Sequence, residues 1–396
     1  MQFNFSLQQR IKLGLNNTVF GLSGTIFNFL FSILIVRMFS PSLWGQFTQS
    51  MLLLILFNLF TGWGNKDYLL REFSRNHHLA VQWQTSFISR LVLFLPVIPL
   101  IYFITPDPVQ SLLLLLWIFS NFITRSFDSV IVFERKFKEA IIIESAGFVM
   151  LLLSLFLFKE LISLNSIILL FVGSSALKSI LYFIQFRRNL LHSLVGRFDA
   201  GHLRTCLPYF LPPFIGFLQA RSDTFAIALQ LSSKELGEYY VLLSLLSYCH
   251  ATAVLAITPF LKNIYRINSV SFQKIKIKFT QVGLLWSVVC MVGIYGVITF
   301  VYHIQLPVYT YFIAWFTLPP YFFYFLLMQD LLRQDKPSPI VIINLIAAAL
   351  NFLISVILIK YYGFTGGVIS CAIMQWMLLV GFSAARYLKP RTVAVT

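Results

Sequence analysis

The sequence predicts an all-α polytopic membrane protein with twelve transmembrane helices in two six-helix lobes, and three observations support this prediction. First, 58% of its 396 residues are hydrophobic and 11% are charged, whereas soluble domains carry about 25% charged residues. Second, the hydrophobic residues fall into runs of about 20, which is the length of a membrane-spanning helix. Third, lysine and arginine are concentrated in every second segment that connects these runs. This composition excludes a water-soluble globular protein.

Charged and turn-rich segments separate twelve hydrophobic runs along the chain. We expect helices at residues 16–39, 43–65, 83–104, 109–132, 139–158, 164–186, 205–230, 236–261, 278–301, 307–330, 338–360 and 364–388. The first run is long enough to span and is followed by others, so we interpret it as a membrane helix and not as a cleaved signal peptide. The connecting segments are too short for a soluble domain, so the function is expected among the helices.

The distribution of lysine and arginine predicts the orientation of the chain. Most of them lie in alternate loops and at the two termini, while the opposite side carries Arg37, Lys159, Lys234 and Lys360. Because basic residues accumulate on the cytoplasmic side, both termini are expected in the cytoplasm. The membrane also explains the net charge of +16, so nucleic acid is not an expected partner. We expect one basic cluster to set orientation and to contact anionic membrane lipids: Lys274, Lys276 and Lys278.

The two halves of the chain share a weak internal repeat. The stretches "SGTIFNFLFSILIVRMFSPSLWGQF" (residues 23–47) and "IGFLQARSDTFAIALQLSSKELGEY" (residues 215–239) both run from a span through a short turn into the next span, at an offset of 192 residues. The alignment pairs Gly24 with Gly216 and Gly45 with Gly237.

A second similarity occurs later in each half, in the same order. "FERKFKEA" (133–140) aligns with "LLRQDKPS" (331–338) at an offset of 198 residues. Together the two matches predict an N-terminal lobe, a cytoplasmic linker and a C-terminal lobe, at residues 1–190, 191–204 and 205–396. Parallel repeats with a binding site between the lobes are known among transporters.

The stretches "RMFSPSLWGQF", "ARSDTFAIALQLSSKELGEYY" and "FERKFKEA" resemble the motifs of the Wzx-type O-antigen flippases of the multidrug/oligosaccharidyl-lipid/polysaccharide (MOP) exporter superfamily. The resemblance extends over nearly the whole chain. It implies a V-shaped, MATE-like pair of six-helix lobes around a central cavity. It also implies transport of an undecaprenyl-diphosphate-linked saccharide across the bacterial inner membrane, for O-antigen, lipopolysaccharide or another surface polysaccharide. A coupling ion (H⁺ or Na⁺) and a polysaccharide polymerase are the further partners to consider.

Four basic residues lie inside the predicted spans: Arg90, Arg125, Lys178 and Arg221. A charge near the bilayer centre costs roughly 2.5–3.5 kcal/mol on insertion scales, so each needs a function or a partner. In the functional interpretation they line a cationic cavity for a diphosphate, which arginine can bind through two hydrogen bonds at once. Arg221 is the leading candidate, because it lies about 14 Å from the outer end of its helix at 1.5 Å per residue.

The structural alternative is that these cations form ion pairs that hold the helices together. The candidate partners are Asp128, Glu144 and Asp223, and Arg125 is expected to pair with Asp128 three residues on. Asp128 and Asp223 are also considered as sites for a coupling cation or proton, although a structural role is the simpler explanation. His250 can change its charge near neutral pH, but we expect a hydrogen-bonded packing residue. Trp44 and Trp83 fall near predicted membrane interfaces, where tryptophan is common.

Prolines within the spans predict kinks, either as hinges or as static bends. They are Pro96 and Pro99 in the third span, Pro208, Pro212 and Pro213 in the seventh, and Pro319 and Pro320 in the tenth.

Motifs for enzymatic chemistry are absent from the sequence. It has no GxxxxGK[ST] phosphate loop, GxSxG or HExxH motif, and its four cysteines form no CxxC pair. We therefore expect no cofactor, no metal and no enzyme activity. The alternatives are a multidrug or cation exporter of the same superfamily, whose cavity should be acidic, and a membrane polysaccharide polymerase or ligase, which typically has a large external loop.

Overall fold

The computed structural model describes residues 7–75, 79–105, 107–190, 196–257, 269–334 and 337–385. This part of the chain is almost entirely helical and contains no strand. Nine of its helices are long and apolar enough to cross a membrane, and one bent helix pair is a tenth candidate. The prediction of an all-helical, multi-span membrane protein is confirmed.

The described residues of the first half form nine α-helices and one short 3₁₀ turn at Lys159–Leu161. The α-helices are α1 Leu7–Met38, α2 Pro41–Gly62, α3 Asn65–Arg75, α4 Leu79–Leu91, α5 Phe94–Ile104, α6 Pro108–Ser126, α7 Asp128–Glu134, α8 Phe137–Leu157 and α9 Leu164–Leu190. Residues 65–75, expected as a loop, form α3 because Leu69 and Phe73 repeat at helical spacing and are buried.

The described residues of the second half form six further α-helices, with a π-helical turn at Val297–Val301. They are α10 Ala200–Gln230, α11 Ser233–Ile257, α12 Ser269–Gly296, α13 Val308–Trp315, α14 Leu318–Arg333 and α15 Pro337–Ala385. Among these, α10 carries Arg221, Asp223 and three prolines and is not one of the nine apolar spans.

Prolines coincide with two of the breaks in the predicted spans. The third span is divided into α4 and α5, which meet at 40° just before Pro96. The tenth is divided into α13 and α14 just before Pro319 and Pro320. A proline lacks the backbone N–H, and its ring clashes with the carbonyl four residues earlier. At the first break the backbone therefore forms a hydrogen bond over three residues instead of four, from Leu93 N to Arg90 O at 3.0 Å. The prolines of α10, in contrast, lie inside a helix that continues to Gln230.

The last helix, α15, covers both of the final predicted spans. Its 49 residues would extend about 73 Å as a straight helix, more than twice the hydrocarbon thickness of about 30 Å. Gly363 interrupts the helical geometry with φ 54° and ψ −136°, a conformation that glycine adopts without steric cost. The interruption divides α15 close to the predicted boundary between residues 360 and 364.

The chain forms two compact units. Unit 1 consists of Met1–Ile35 and Gln49–Phe214, and unit 2 consists of Val36–Thr48 and Ile215–Thr396. The segment 36–48, where α1 ends and α2 begins, therefore packs with unit 2. The lobe boundaries at residues 190 and 205 stay predictions.

Each unit has its own apolar core. In unit 1, α3, α4, α7, α8 and α9 contribute large side chains such as Phe73, Trp83 and Phe186. In unit 2, α14 packs against α15 through residues such as Leu331, Met374 and Phe382. Large apolar side chains also cover the outside, for example Phe103 at 89% exposure and Leu157 at 78%. Such side chains are stable in contact with lipid and would be costly in water.

Asp107 fixes the start of α6. One oxygen of its carboxylate accepts a hydrogen bond from the Val109 N–H at 3.0 Å, and the other accepts one from the Asn165 amide of α9 at 3.0 Å. These bonds favour the charged form, so the hydrogen bond from Asn165, and then that from Val109, lowers the pKa of the Asp107 carboxyl. The side chain thereby joins the ends of α6 and α9.

Candidate functional site

Arg90 lies inside unit 1 with its hydrogen-bonding capacity largely used. It is 1% exposed. Its Nη2 donates to Ser126 Oγ at 3.0 Å, its Nε donates to the Ser86 carbonyl at 3.2 Å, and its guanidinium lies 4.8 Å from the Phe122 ring centre. In this conformation a phosphate has no access to it. The structure favours the structural interpretation of Arg90, and a role in cargo binding would require a rearrangement.

Lys178 is also satisfied within unit 1, through an ion pair between α9 and α8. Its Nζ lies 3.0 Å from Glu144 Oε2. The other oxygen of Glu144 accepts a hydrogen bond from the Tyr182 hydroxyl at 3.3 Å. The lysine stem packs on Gly147, where an added Cβ would lie 2.7 Å from Lys178 Cγ. Glu144 is therefore paired with Lys178 across the two helices, as expected in the structural alternative.

Arg125 and Asp128 do not form the expected pair. Among the ion pairs of the described residues, none joins these two side chains. The reason is the break at Phe127, where α6 ends and α7 begins, because the regular spacing of one helix face does not continue across it. Arg125 is exposed. Asp128 lies in a mixed cluster in which the charges of Lys66, Arg125, Glu144 and Lys178 all act on it.

Asp223 is buried in unit 2 and accepts hydrogen bonds from its neighbours. Its Oδ2 accepts a hydrogen bond from the Tyr239 hydroxyl at 2.5 Å, and its Oδ1 accepts one from the Thr224 N–H at 2.7 Å. These bonds compensate for the removal of the carboxylate from water. The arrangement supports a structural role, while the coupling role stays a prediction.

His250 packs between α11 and the start of α14. Its ring stacks on Tyr321 with the ring centres 4.4 Å apart and an angle of 17°. Its Nε2 lies 3.3 Å from the Thr317 carbonyl oxygen and donates to it when that nitrogen carries the proton. This is the environment expected of a packing histidine.

Arg221 differs from Arg90 and Lys178 because part of its guanidinium has no partner. Its Nη1 is buried and makes no hydrogen bond within the described part of the chain. The guanidinium lies over the Tyr240 ring at 5.1 Å from its centre, an arrangement that stabilises a cation on an aromatic face. An unsatisfied donor atom is costly when it is buried. Arg221 as a whole is half-buried, unlike Arg90, and it forms no ion pair among the described residues. It is therefore a more accessible site for an anion than Arg90.

The aromatic surroundings of Arg221 could not be foreseen from any sequence motif. Tyr240 also contacts Trp44, whose ring centre is 6.1 Å away. Trp44 was expected at the membrane interface, but it is 2% exposed because it packs into unit 2. Trp83 is also buried, and its Nε1 donates to the Ser126 carbonyl at 2.8 Å. Both side chains therefore face the interior of the protein, which proximity to a span end could not show. Their position near a membrane interface stays a prediction.

The described residues contain no group of three or more His, Cys, Asp or Glu that could hold a metal ion. The four cysteines are free thiols.

No protein-family model and no curated protein sequence matches the chain. Solved structures do match it. The lipid II flippase MurJ in an inward closed conformation is similar with a TM-score of 0.72 and 15% identity, over 96% of this chain and 88% of MurJ. An inward-facing multidrug resistance MATE family transporter of the MOP superfamily is similar with a TM-score of 0.65 and 12% identity, over 98% and 95% of the two chains. The MATE multidrug transporter DinF-BH gives a TM-score of 0.63 and 12% identity, over 98% and 96%.

These similarities show the fold. The chain has the all-helical fold shared by MurJ and the MATE transporters of the MOP superfamily, as the sequence motifs implied.

Proposed function

We propose that the protein is a Wzx-type flippase. It moves undecaprenyl-diphosphate-linked oligosaccharide units, of O-antigen or a similar surface polysaccharide, across the bacterial inner membrane by alternating access. In this proposal the chain has twelve spans and both termini are cytoplasmic. The observation that carries the proposal is Arg221, a half-buried cation of α10 whose Nη1 makes no hydrogen bond within the described residues. The fold similarity to a flippase of lipid II supports a lipid-linked cargo.

The energetics of Arg221 fit an anionic cargo. Placing the charge in the membrane costs roughly 2.5–3.5 kcal/mol, whereas one unit charge of opposite sign at 4 Å contributes about 4 kcal/mol at an effective dielectric constant of 20. A diphosphate can therefore offset the cost of the site during transport. Arg125, which is exposed and forms no ion pair among the described residues, is a second candidate contact.

The polarity of the sugars and of the polyprenyl tail determines where each part of the cargo would lie. The sugars would occupy a wet cavity, because hydroxyl groups are costly in hydrocarbon. The polyprenyl tail would stay in the bilayer. Movement of the lobes would then expose the head group on the outer side, driven by an ion gradient, the membrane potential or downstream consumption of the product.

A multidrug exporter is the second candidate, because the MATE transporters share the fold. A cavity for cationic drugs requires accessible carboxylates. The Asp223 carboxylate is bound to Tyr239 and Thr224, and Glu144 is paired with Lys178. Two of the three candidate carboxylates are therefore already bound to neighbouring groups, which favours an anionic cargo over a cationic one. A polymerase or ligase is disfavoured because the connecting segments are short.

The experiment that tests the proposal is lipid translocation in proteoliposomes. The purified protein is reconstituted with a fluorescent polyprenyl-diphosphate oligosaccharide, and access of an external lectin reports the exposed fraction. We expect the native protein to translocate this lipid and Arg221→Ala to reduce the rate at least tenfold. Lys360→Ala is the matched control, since Lys360 is an exposed cation of the same unit. Export of a cationic dye without lipid translocation would replace the flippase with a multidrug exporter.

A further inference from the structure

Arginine side chains lie over aromatic rings at several places in this protein, and at two of them oxygen atoms already bind the guanidinium. Arg90 lies 4.8 Å from the centre of the Phe122 ring, and its nitrogens donate hydrogen bonds to serine oxygens. Arg333 lies 4.7 Å from the centre of the Phe272 ring, and its Nη2 lies 2.9 Å from Asp330 Oδ1. In both cases the ring stabilises a cation that has oxygen partners within its own unit.

Arg221 also lies over a ring, but it has no such partner at Nη1. Its guanidinium is 5.1 Å from the centre of the Tyr240 ring, and Nη1 makes no hydrogen bond within the described residues. A guanidinium is planar, and its N–H groups point outward in that plane. A ring over the plane stabilises the positive charge and leaves these N–H groups available. A carboxylate, in contrast, would bind the N–H groups and neutralise the charge.

The carboxylate nearest to Arg221 in sequence, Asp223, is bound to other groups. The two residues are two positions apart on α10, so their side chains do not face each other. The carboxylate accepts hydrogen bonds from the Tyr239 hydroxyl and the Thr224 N–H. Tyr239 and Tyr240 are consecutive residues of α11. One tyrosine therefore binds the acid of α10, and the next lies against the base.

The Tyr240 ring is itself held in place within unit 2. It is 7% exposed, and the centre of the Trp44 ring is 6.1 Å from its own. Trp44 is 2% exposed, so the ring that supports Tyr240 is also enclosed. Binding sites work best when supporting side chains hold the contact groups in the required geometry before the ligand arrives. Tyr240 provides such a support for the guanidinium.

We propose that Tyr240 is a positioning residue for the anionic group of the cargo. It holds the face of the Arg221 guanidinium, so that the N–H groups at the edge can bind two oxygens of a diphosphate. The ring and the diphosphate use different parts of the guanidinium, and both contacts exist in the bound state. The identity of the cargo rests on the proposed function, whereas binding of a diphosphate can be measured without transport.

The test measures binding of farnesyl diphosphate, a short prenyl diphosphate, to the purified full-length protein by titration calorimetry. Farnesol, which has the same chain without the diphosphate, is the control probe. Tyr240→Leu removes the aromatic face, and Tyr240→Phe retains it. Tyr311→Leu is the matched control variant, because Tyr311 is a tyrosine of unit 2 that is 6% exposed and packs on Tyr295.

We expect Tyr240→Leu and Arg221→Ala to raise the Kd for farnesyl diphosphate roughly fivefold or more, because the cation is lost or is no longer held. Tyr240→Phe and Tyr311→Leu should bind it as the native protein does. Farnesol binding should be the same in all variants, whereas a merely structural role of Tyr240 would alter the binding of both probes.

Two outcomes separate this proposal from the proposed function. An unchanged or lower Kd for farnesyl diphosphate in Tyr240→Leu would overturn the role of Tyr240, even in a protein that translocates saccharide lipids. The expected Kd changes in a protein that translocates no saccharide lipid would retain the role of Tyr240 and remove the flippase function.

A second experiment keeps the shape of the side chain, in case Tyr240→Leu fails to fold. Phenylalanine analogues with increasing numbers of fluorine atoms are placed at position 240. Fluorine withdraws the negative charge from the face of the ring, so the ring holds a cation less firmly. The Kd for farnesyl diphosphate should rise along the series while farnesol binding stays constant. A Kd that does not depend on fluorination would contradict the proposal.

Discussion

At the scale of the residue, the deep cations of this protein differ in whether their charge is already matched. Arg90 is enclosed by serine oxygens and Phe122, and Lys178 is paired with Glu144. Arg221 rests on Tyr240 and has a buried nitrogen that makes no hydrogen bond within the described chain. The sequence could place all of these cations within membrane helices, but it could not rank them. Their partners come from distant positions, such as Glu144 for Lys178.

The geometry of the cationic group at position 221 should affect the rate of lipid translocation. Arg221→Lys keeps a cation but loses the planar group that can bind two phosphate oxygens at once. We expect it to retain part of the translocation rate, between the native protein and Arg221→Ala, in proteoliposomes with equal protein content. Full activity in Arg221→Ala would assign Arg221 a structural role.

The ion pair of Lys178 should behave as a structural element. Lys178→Ala leaves the Glu144 carboxylate without its partner, and we expect a loss of about 2 kcal/mol in unfolding free energy, below the 3–5 kcal/mol of fully buried pairs. Thermal unfolding in detergent provides the measurement. Adding Glu144→Gln removes the unpaired charge, so the double variant should recover stability and translocation. Recovery of stability without translocation would indicate that Lys178 binds cargo.

At the scale of the element, hydropathy predicted the positions of the helices well, and prolines predicted where two of them break. The bend before Pro96 and the break before Pro319 follow from missing backbone hydrogen bonds. The sequence missed α3, whose apolar spacing lies within a charged segment. We also predicted that Arg125 and Asp128 are neighbours on one helix. The helix is interrupted at Phe127, and no proline or glycine at that position indicates the interruption in the sequence.

The Asp107 cap should stabilise the protein in a pH-dependent way. Its pKa is lowered in the folded protein by the bonds from Asn165 and Val109. The stabilisation is therefore fully present above the ordinary aspartate pKa and is lost as the pH falls through the lowered value. Asp107→Ala should lower the thermal midpoint at pH 7, and its difference from the native protein should shrink in strong acid. A difference independent of pH would show that the charge of the cap contributes nothing.

At the scale of the whole molecule, the composition and the apolar helices agree on a multi-span membrane protein, and its fold is similar to the folds of MurJ and the MATE transporters. The weak repeat in the sequence has a direct counterpart in the structure, where Gly45 and Gly237 meet. The packing of residues 36–48 with unit 2 could not be predicted, because sequence order alone assigned the segment to the N-terminal lobe. The sugar is also beyond prediction, since sugar contacts depend on a few side chains that no motif identifies.

The basic cluster of α12 should govern orientation and not cargo choice. Lys274, Lys276 and Lys278 lie in the first turns of a helix whose side chains there are largely exposed. Replacing all three with glutamine removes the attraction to the cytoplasmic side and to anionic lipids. We expect altered topology or lower membrane levels, measured by reporter fusions at both ends of the helix. A change of cargo with normal topology would contradict this.

The measurement that tests the central claim most directly is made in cells that lack the gene and in cells in which it is restored. The amount, the mass and the membrane face of undecaprenyl-diphosphate-linked oligosaccharide are determined in both. A flippase predicts accumulation on the cytoplasmic face without the gene and clearance when it is restored, and the mass identifies the sugar. Unchanged amounts and distribution of this lipid would contradict the account, as would single units accumulating on the outer face, which would indicate a polymerase.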